Sequence, residues 1–425
     1  MNPPENRSQK QKIFKRHRFF IAAFVLLMLY SFVPSGFKAW SVSDVTYVFH
    51  TVDFELGFCT RILPGALYSL FFRDRSPQTA TIFESILLVL LFLMTAYLCE
   101  RLLLSVGPGS RTATAAALIF FLTGPCTFSM FVNRLGMIDF YWILFSAVAL
   151  ILLEKKRLVF AVVPIFFLLV LNHYASVMDY IPWLWMIMLY KISCTGEKKE
   201  KRTLLIVLAL SVAVTASTLL YFVMFERNNL VYSREEFDSI LLSRGAAGTF
   251  YYDTGLYRDL TPVLDETQMQ TVEGGMSGTG TAFSSLIQQL QYNFSDIRPY
   301  IILPPLILIL PCLVVLFGFI HARRRNETDR FKRLLLSVSP ILFVLSVVGE
   351  CLLSTDLIRW LGHGYICFFA FVLYVVYREK DECADYFKSI FDRLPSSACF
   401  VYFIFYAFTV IDPYIDGIGT FFWSS

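Results

Sequence analysis

Four short polar runs interrupt an otherwise apolar chain of 425 residues, and each carries groups that move protons or hold anions. The first, DVTYVFHTVDFELGFCTR (44–61), supplies Asp44, His50, Asp53, Glu55 and Arg61. NRLGMIDF (133–140) adds Asn133, Arg134 and Asp139, and NHYASVMDY (172–180) adds Asn172, His173 and Asp179. The last, STDLIRWLGH (354–363), carries Asp356, Arg359 and His363. Carboxylates in such runs serve as general bases or as ligands for a divalent cation. Arginines grip phosphate oxygens in a fork, and histidines transfer protons near neutral pH. Asp53 and Glu55 form an Asp-x-Glu pair. On an extended segment residues i and i+2 point to one face, so both carboxylates would address a single cavity.

Plainer roles compete with these. Arg134 with Asp139, and Asp356 with Arg359, can close as local ion pairs, and His173 and Asp179 can cap a tight hairpin. Trp183, Trp185, Trp360 and Trp423 fit an aromatic belt, and Arg73, Asp74 and Arg75 fit the headgroup level. His50, His173 and His363 are singletons at unrelated spacings, a poor zinc pattern. The nine cysteines are scattered without a CxxC pair, so neither a disulfide framework nor a metal cluster is indicated.

The elements that hold these runs are apolar. Hydrophobic residues make up 56% of the chain and charged ones 16%, against roughly 25% charged in ordinary globular proteins. Mean hydropathy is +0.59. A soluble enzyme with one core is excluded, and an all-α integral membrane protein is expected. Eleven segments suit spans: 19–35, 80–104, 113–131, 138–153, 158–173, 180–193, 203–225, 299–320, 334–353, 360–377 and 397–411. No internal repeat is visible.

Charge orients the array. With the basic tail 1–18 inside, the alternate connections on that side hold 26 of the 37 Lys and Arg but only 12 of the 33 Asp and Glu. Positive-inside logic therefore expects an N-in, C-out protein of the plasma membrane with its functional face outward. The organisation is then a cytoplasmic tail 1–18, an N-terminal bundle of about seven spans (19–225), a large outer loop 226–298, a bundle of about four spans (299–411) and a short outer tail 412–425. The first outer loop, 36–79, contains the amphipathic ILPGALYSLFF (62–72), too short to span and suited to an interfacial helix. In the large loop, REEFDSILL (234–242) is expected to be helical and EGGMSGTGTAF (273–283) is Gly-rich. The basic connections are short, which places the protein's work on the acidic face.

This layout resembles the GT-C superfamily of multi-pass glycosyltransferases, which use polyprenyl-phosphate sugars on the outer or lumenal face. The resemblance rests on the span pattern, the long first outer loop and its acidic pair. It implies that Asp53 and Glu55, with Asp44 as the alternative acid, fall on the family's acidic motif. It also implies that Arg61, Arg134, His173 or Arg359 contacts the carrier phosphate, with Asp139 and Asp356 nearby. Under it, Asp53 is the general base of an inverting displacement, and Asp53→Asn abolishes transfer while leaving insertion intact. A divalent cation, Mg or Mn, on Asp53 and Glu55 is the optional cofactor. The partners implied are the bilayer, a lipid-linked sugar donor and a glycan, lipid or protein acceptor in cell-envelope glycan assembly, with no nucleic acid. The chain lacks the large soluble C-terminal domain common in that superfamily. Two alternatives stand beside it. A polysaccharide polymerase or ligase of the O-antigen type would rely on large-loop arginines (Arg227, Arg234, Arg244, Arg258), so alanine substitution in the two loops would separate them. A transporter or flippase of lipid-linked glycans would carry charge near mid-bilayer and paired broken helices.

Overall fold

The computed structural model describes residues 17–32, 39–56, 58, 61–124, 127, 132, 135–225, 234–246, 299–353, 357–393, 409–412 and 417–420. These residues are helical almost throughout. The chain runs α1 (Arg18–Tyr30), α2 (Asp44–Thr51), α3 (Leu63–Phe71), α4 (Pro77–Ser105), α5 (Pro108–Leu122) and α6 (Ile138–Leu153). A 3-10 turn, Val159–Val162, leads into α7 (Val163–Asn172), and a second, Tyr174–Val177, precedes α8 (Tyr180–Cys194). Then follow α9 (Lys198–Phe225), α10 (Arg234–Ser243), α11 (Pro299–Asn326), α12 (Arg330–Leu353), α13 (Leu357–Glu379) and α14 (Asp381–Phe391). Strands β1 (Thr409–Asp412) and β2 (Gly417–Thr420) pair antiparallel, with Thr409 opposite Thr420.

A helix lies on each of the first ten apolar segments. Five are long and apolar enough to cross a membrane, within α4, α9, α11, α12 and α13, the character of a multi-pass membrane protein. Inside the protein lies 83% of the apolar window of α13, against 22–39% for the other four. Helix α13 is therefore the central post, packed by α8, α11 and α12, while α9, α11 and α12 turn apolar side chains such as Leu220, Ile307 and Leu345 outward. Helix α1 packs along α4, α7 against α9, and α5 against α14.

Local chemistry explains where the helices depart from expectation. The third segment, expected over 113–131, begins at Pro108 and stops at Leu122, where Gly124-Pro125 follows. The freed carbonyls are taken by hydroxyls, Thr123 Oγ1 on Ile119 O and Thr127 Oγ1 on Phe121 O, each at 2.8 Å. The fifth segment is not one helix. It restarts at Val163 with Pro164 in the first turn, where the missing N–H costs nothing. Residues 397–408 of the eleventh segment, the Gly-rich 273–283 and Trp423 lie outside the described residues. Residues 409–411 form strand rather than helix, a β-branched run, Thr409-Val410-Ile411, just before Asp412-Pro413.

The amphipathic stretch of the first loop does fold as a short helix, α3, with Leu70 and Phe71 exposed and Leu63, Ala66 and Tyr68 buried. It lies directly on the end of α2, because a Cβ at Gly65 would sit 1.8 Å from Val52 O. The segment 234–242 is helical as expected, within α10. Two ends of the bundle can now be distinguished: a loop end, where α2, α3 and α10 gather, and a basic end, where the connections after α6, α8 and α11 lie.

Candidate functional site

At the loop end the polar runs converge on one another. Asp139 stands in the first turn of α6 and is fully buried. Arg359 and His363, four residues apart on α13 and so on one helix face, both reach it. Arg359 Nε and Nη2 donate to Asp139 Oδ1 at 2.9 and 2.7 Å, and His363 Nε2 lies 2.9 Å from the same oxygen. His363 Nδ1 is 2.6 Å from the Tyr180 hydroxyl. With Nε2–H donating to the carboxylate, Nδ1 accepts from the phenol, which makes a Tyr180–His363–Asp139 chain assigned from its hydrogen bonds. Asp139 and Arg359 thus form a pair between α6 and α13. Arg134 and Asp356 lie outside the described residues.

Trp142, one turn after Asp139, presents its ring to His173 and His363 at centroid distances of 5.8 and 5.4 Å. Trp183 and Trp360 are buried beside this layer and not in a belt, and the Arg359 guanidinium lies 4.9 Å from the Trp360 ring. A cavity of about 100 Å³ below it is lined by Tyr180, Ser146 and Trp183.

Arg61 reaches the same layer from the first loop. Its backbone is left-handed, φ +66°, and its N–H donates to Leu171 O and Asn172 O at 3.2 and 3.0 Å. A non-glycine residue there costs about 1 kcal/mol, so the side chain has a use that glycine would not serve. Arg61 Nη2 lies 2.6 Å from His173 Nε2, while His173 Nδ1 accepts from Ala175 N–H at 3.1 Å. Both contacts ask the ring to accept, which a neutral imidazole does at one nitrogen only. His173 does cap the turn Tyr174–Val177, as its hairpin position suggested, whereas Asp179 makes no side-chain cap to α8.

Two further nodes complete this end. His50 Nδ1 donates to Thr46 O at 3.2 Å and its Nε2 lies 2.7 Å from Glu84 Oε1, which also accepts from Tyr141 O–H at 2.5 Å. Gly136, at φ +82°, closes over this group; a Cβ there would meet His50 Cε1 at 2.8 Å.

The second node joins the two loops. Arg75 Nη2 donates to Asp53 Oδ2 and Arg244 Nη1 to Oδ1 at 3.2 Å, while Arg244 Nη2 donates to Glu55 Oε2 at 2.8 Å. Arg75 and Arg244 also share Thr51 O, at 2.9 and 2.8 Å. Tyr47 O–H holds Arg244 O at 2.9 Å, fixing the end of α10 on α2. Asp53 and Glu55 do not share a face. Asp53 Oδ1 accepts from Glu55 N–H, an Asx turn that replaces the extended segment, so Asp53 points inward while Glu55 is 73% exposed. Asp44 opens α2, and its side chain is outside the described residues.

A divalent cation on Asp53 and Glu55 does not fit this arrangement, because two guanidinium groups already occupy the space facing the Asp53 oxygens. Among the described residues no three His, Cys, Asp or Glu side chains converge as ligands.

Sequence reasoning missed Glu84, Tyr141, Tyr180 and Trp142, assigned Arg75 to the headgroup level and gave Arg244 only to the rival reading. Glu84 had a signal, a lone acid within an apolar run. The aromatic residues had none in a chain with 22 Tyr and 43 Phe. Comparison with protein-family models, with curated proteins and with solved structures finds no match for this chain.

Proposed function

We propose that the chain is a membrane glycosyltransferase of GT-C-like layout that moves a sugar from a polyprenyl-phosphate carrier to an acceptor at the loop end, the outer face. The observation that carries this reading is the meeting of Asp53 and Glu55 with Arg75 and Arg244, beside a buried layer of Arg61, His173, Asp139, Arg359 and His363. Anion-gripping and proton-accepting groups thus share one end of the bundle.

The roles follow from who is already engaged. Asp53, with a guanidinium on each oxygen, is a positioning residue for Arg75 and Arg244. Each arginine has N–H groups beyond those pairs for the carrier phosphate. Glu55, exposed and bound at one oxygen by Arg244, takes the proton of the acceptor hydroxyl. The acceptor oxygen bonds to the anomeric carbon as the carbon–oxygen bond to phosphate breaks, the electron pair leaves with the phosphate, and the configuration inverts. Arg61 offers a second phosphate contact. An anion beside it would take the guanidinium and leave His173 one acceptor role instead of two.

Arg244 also supports the polymerase or ligase reading, since it comes from the large loop. Because it bridges Asp53 and Glu55, loop-by-loop alanine substitution no longer separates the two activities. Product length does. In proteoliposomes supplied with lipid-linked donor, a transferase adds one sugar and a polymerase extends repeats. Glu55→Gln should abolish transfer with the fold intact; full activity in that variant would remove Glu55 from the base role.

A further inference from the structure

A groove of about 180 Å³ opens between α4, α5, α6 and α13, toward the basic end. Its walls include Leu98, Leu122, Leu150, Phe369 and Ala370, and its mouth holds Tyr97, Tyr377 and Arg101. Side chains of this kind leave an apolar slot that hydrocarbon fills, because an empty slot forfeits dispersion contacts on one side. Tyrosines at the mouth suit the level where chains meet headgroups.

Charge at the mouth identifies the headgroup. Arg101 is exposed, and its hydrogen bond is a long one, Nη2 to the Tyr377 hydroxyl at 3.4 Å. Among the described residues no carboxylate lies within ion-pair distance of Arg101. Lys155, also exposed, sits with Nζ 5.6 Å from the Tyr97 ring centroid. Glu154 is the one acid lining the groove, and it is already engaged by Lys191 at 3.2 Å, Arg378 at 3.6 Å and Tyr374 O–H at 2.8 Å. Two cations are left for an outside anion.

We propose that the groove binds an acyl chain of an anionic phospholipid from the leaflet at the basic end, with its phosphate on Arg101 and Lys155. The occupant is distinct from the sugar carrier, whose phosphate belongs at the loop end, the opposite end of α4.

The test uses the full chain in nanodiscs of equal parts phosphatidylglycerol and phosphatidylcholine, with retained lipid counted by native mass spectrometry after extraction. Phosphatidylglycerol should be enriched in the wild type, and Arg101→Gln should cut that enrichment about fivefold. Ala370→Phe, which fills the groove, should lower retention of both lipids, whereas Arg202→Gln, exposed on α9, which contributes nothing to the groove wall, should change nothing. Equal retention of the two lipids by the wild type would overturn the proposal, as would an unchanged preference in Arg101→Gln. Polyprenyl phosphate displacing phosphatidylglycerol in an Arg101-dependent way would assign the groove to the carrier and overturn it equally.

Discussion

Helix α13 ends on the half-buried Glu379 at the basic end, while its first turns at the loop end carry Arg359 and His363 to the fully buried Asp139, and the two carboxylates are treated differently. Glu379 accepts from Arg323 at 2.5 Å, Lys332 at 2.8 Å and the Tyr190 hydroxyl at 2.7 Å. Its neighbours Glu327 and Glu154 are likewise tied to cations, Glu327 to Arg323 four residues before it at 2.6 Å and Glu154 to Lys191 on α8 at 3.2 Å. This network clamps α8, α11, α12 and α13 together where the connecting loops are short. At the loop end, by contrast, the carboxylates also meet fully buried histidines: Asp139 with His363, and Glu84 with His50. His50, His173 and His363 all lie buried there. One end is built as a clamp of ion pairs and the other as a buried layer of histidines, carboxylates and arginines.

Breaking this contrast begins with Glu55. Glu55→Gln should lower transfer about 10²–10⁴-fold, the usual contribution of a general base, with melting temperature unchanged because the side chain is 73% exposed. Activity measured beside a thermal melt checks both halves. Arg359→Leu should cost about 3–5 kcal/mol of stability by taking the guanidinium away from the buried Asp139 carboxylate, and the double variant with Asp139→Leu should recover much of it. Melts of the three variants test this, and a double variant as unstable as the single one would contradict the pairing. At the other end, Glu379→Gln should cost about 2 kcal/mol through lost charged hydrogen bonds, yet leave transfer per folded molecule untouched. A specific-activity measurement on the surviving fraction decides it.

The smallest effect expected is at Asp329, which caps α12 at the basic end. Hydrogen bonds from the Lys332 and Phe331 N–H groups hold its carboxyl below the ordinary value of 3.8. Its contribution is therefore present above the unfolded value and is lost as pH falls through the lowered folded value. Asp329→Asn should lower stability slightly at neutral pH, where that contribution is present, and flatten the acid limb of the stability–pH curve.

Much of the helical framework was legible because span length and apolarity are properties of single segments. Boundaries such as Leu122 and Val163 follow from Gly124-Pro125 and Pro164, residues that stop or start helices wherever they occur. The site was legible only by residue. Asp139, His173, Arg359 and Arg61 stood out as polar groups at apolar edges, but the Asp139–Arg359 bond joins residues 220 apart, and packing order decides it. Spacing alone offers the local pairing of Arg134 with Asp139, and Arg134 lies outside the described residues. The Asp-x-Glu pair illustrates the same limit: alternation assumes an extended strand, and one Asx turn sent Asp53 inward and Glu55 outward.

The loop end is proposed to recognise a lipid-linked phosphate. The direct measurement is the affinity of the full-length protein for polyprenyl phosphate against polyprenol of equal chain length, in the wild type and in Arg61→Gln, Arg75→Gln and Arg244→Gln. The account predicts tighter binding of the phosphate by the wild type, with that advantage reduced about tenfold or more by each substitution, the worth of a charge-assisted contact. Equal binding of the two lipids by the wild type, or a phosphate preference that survives all three substitutions, would contradict it.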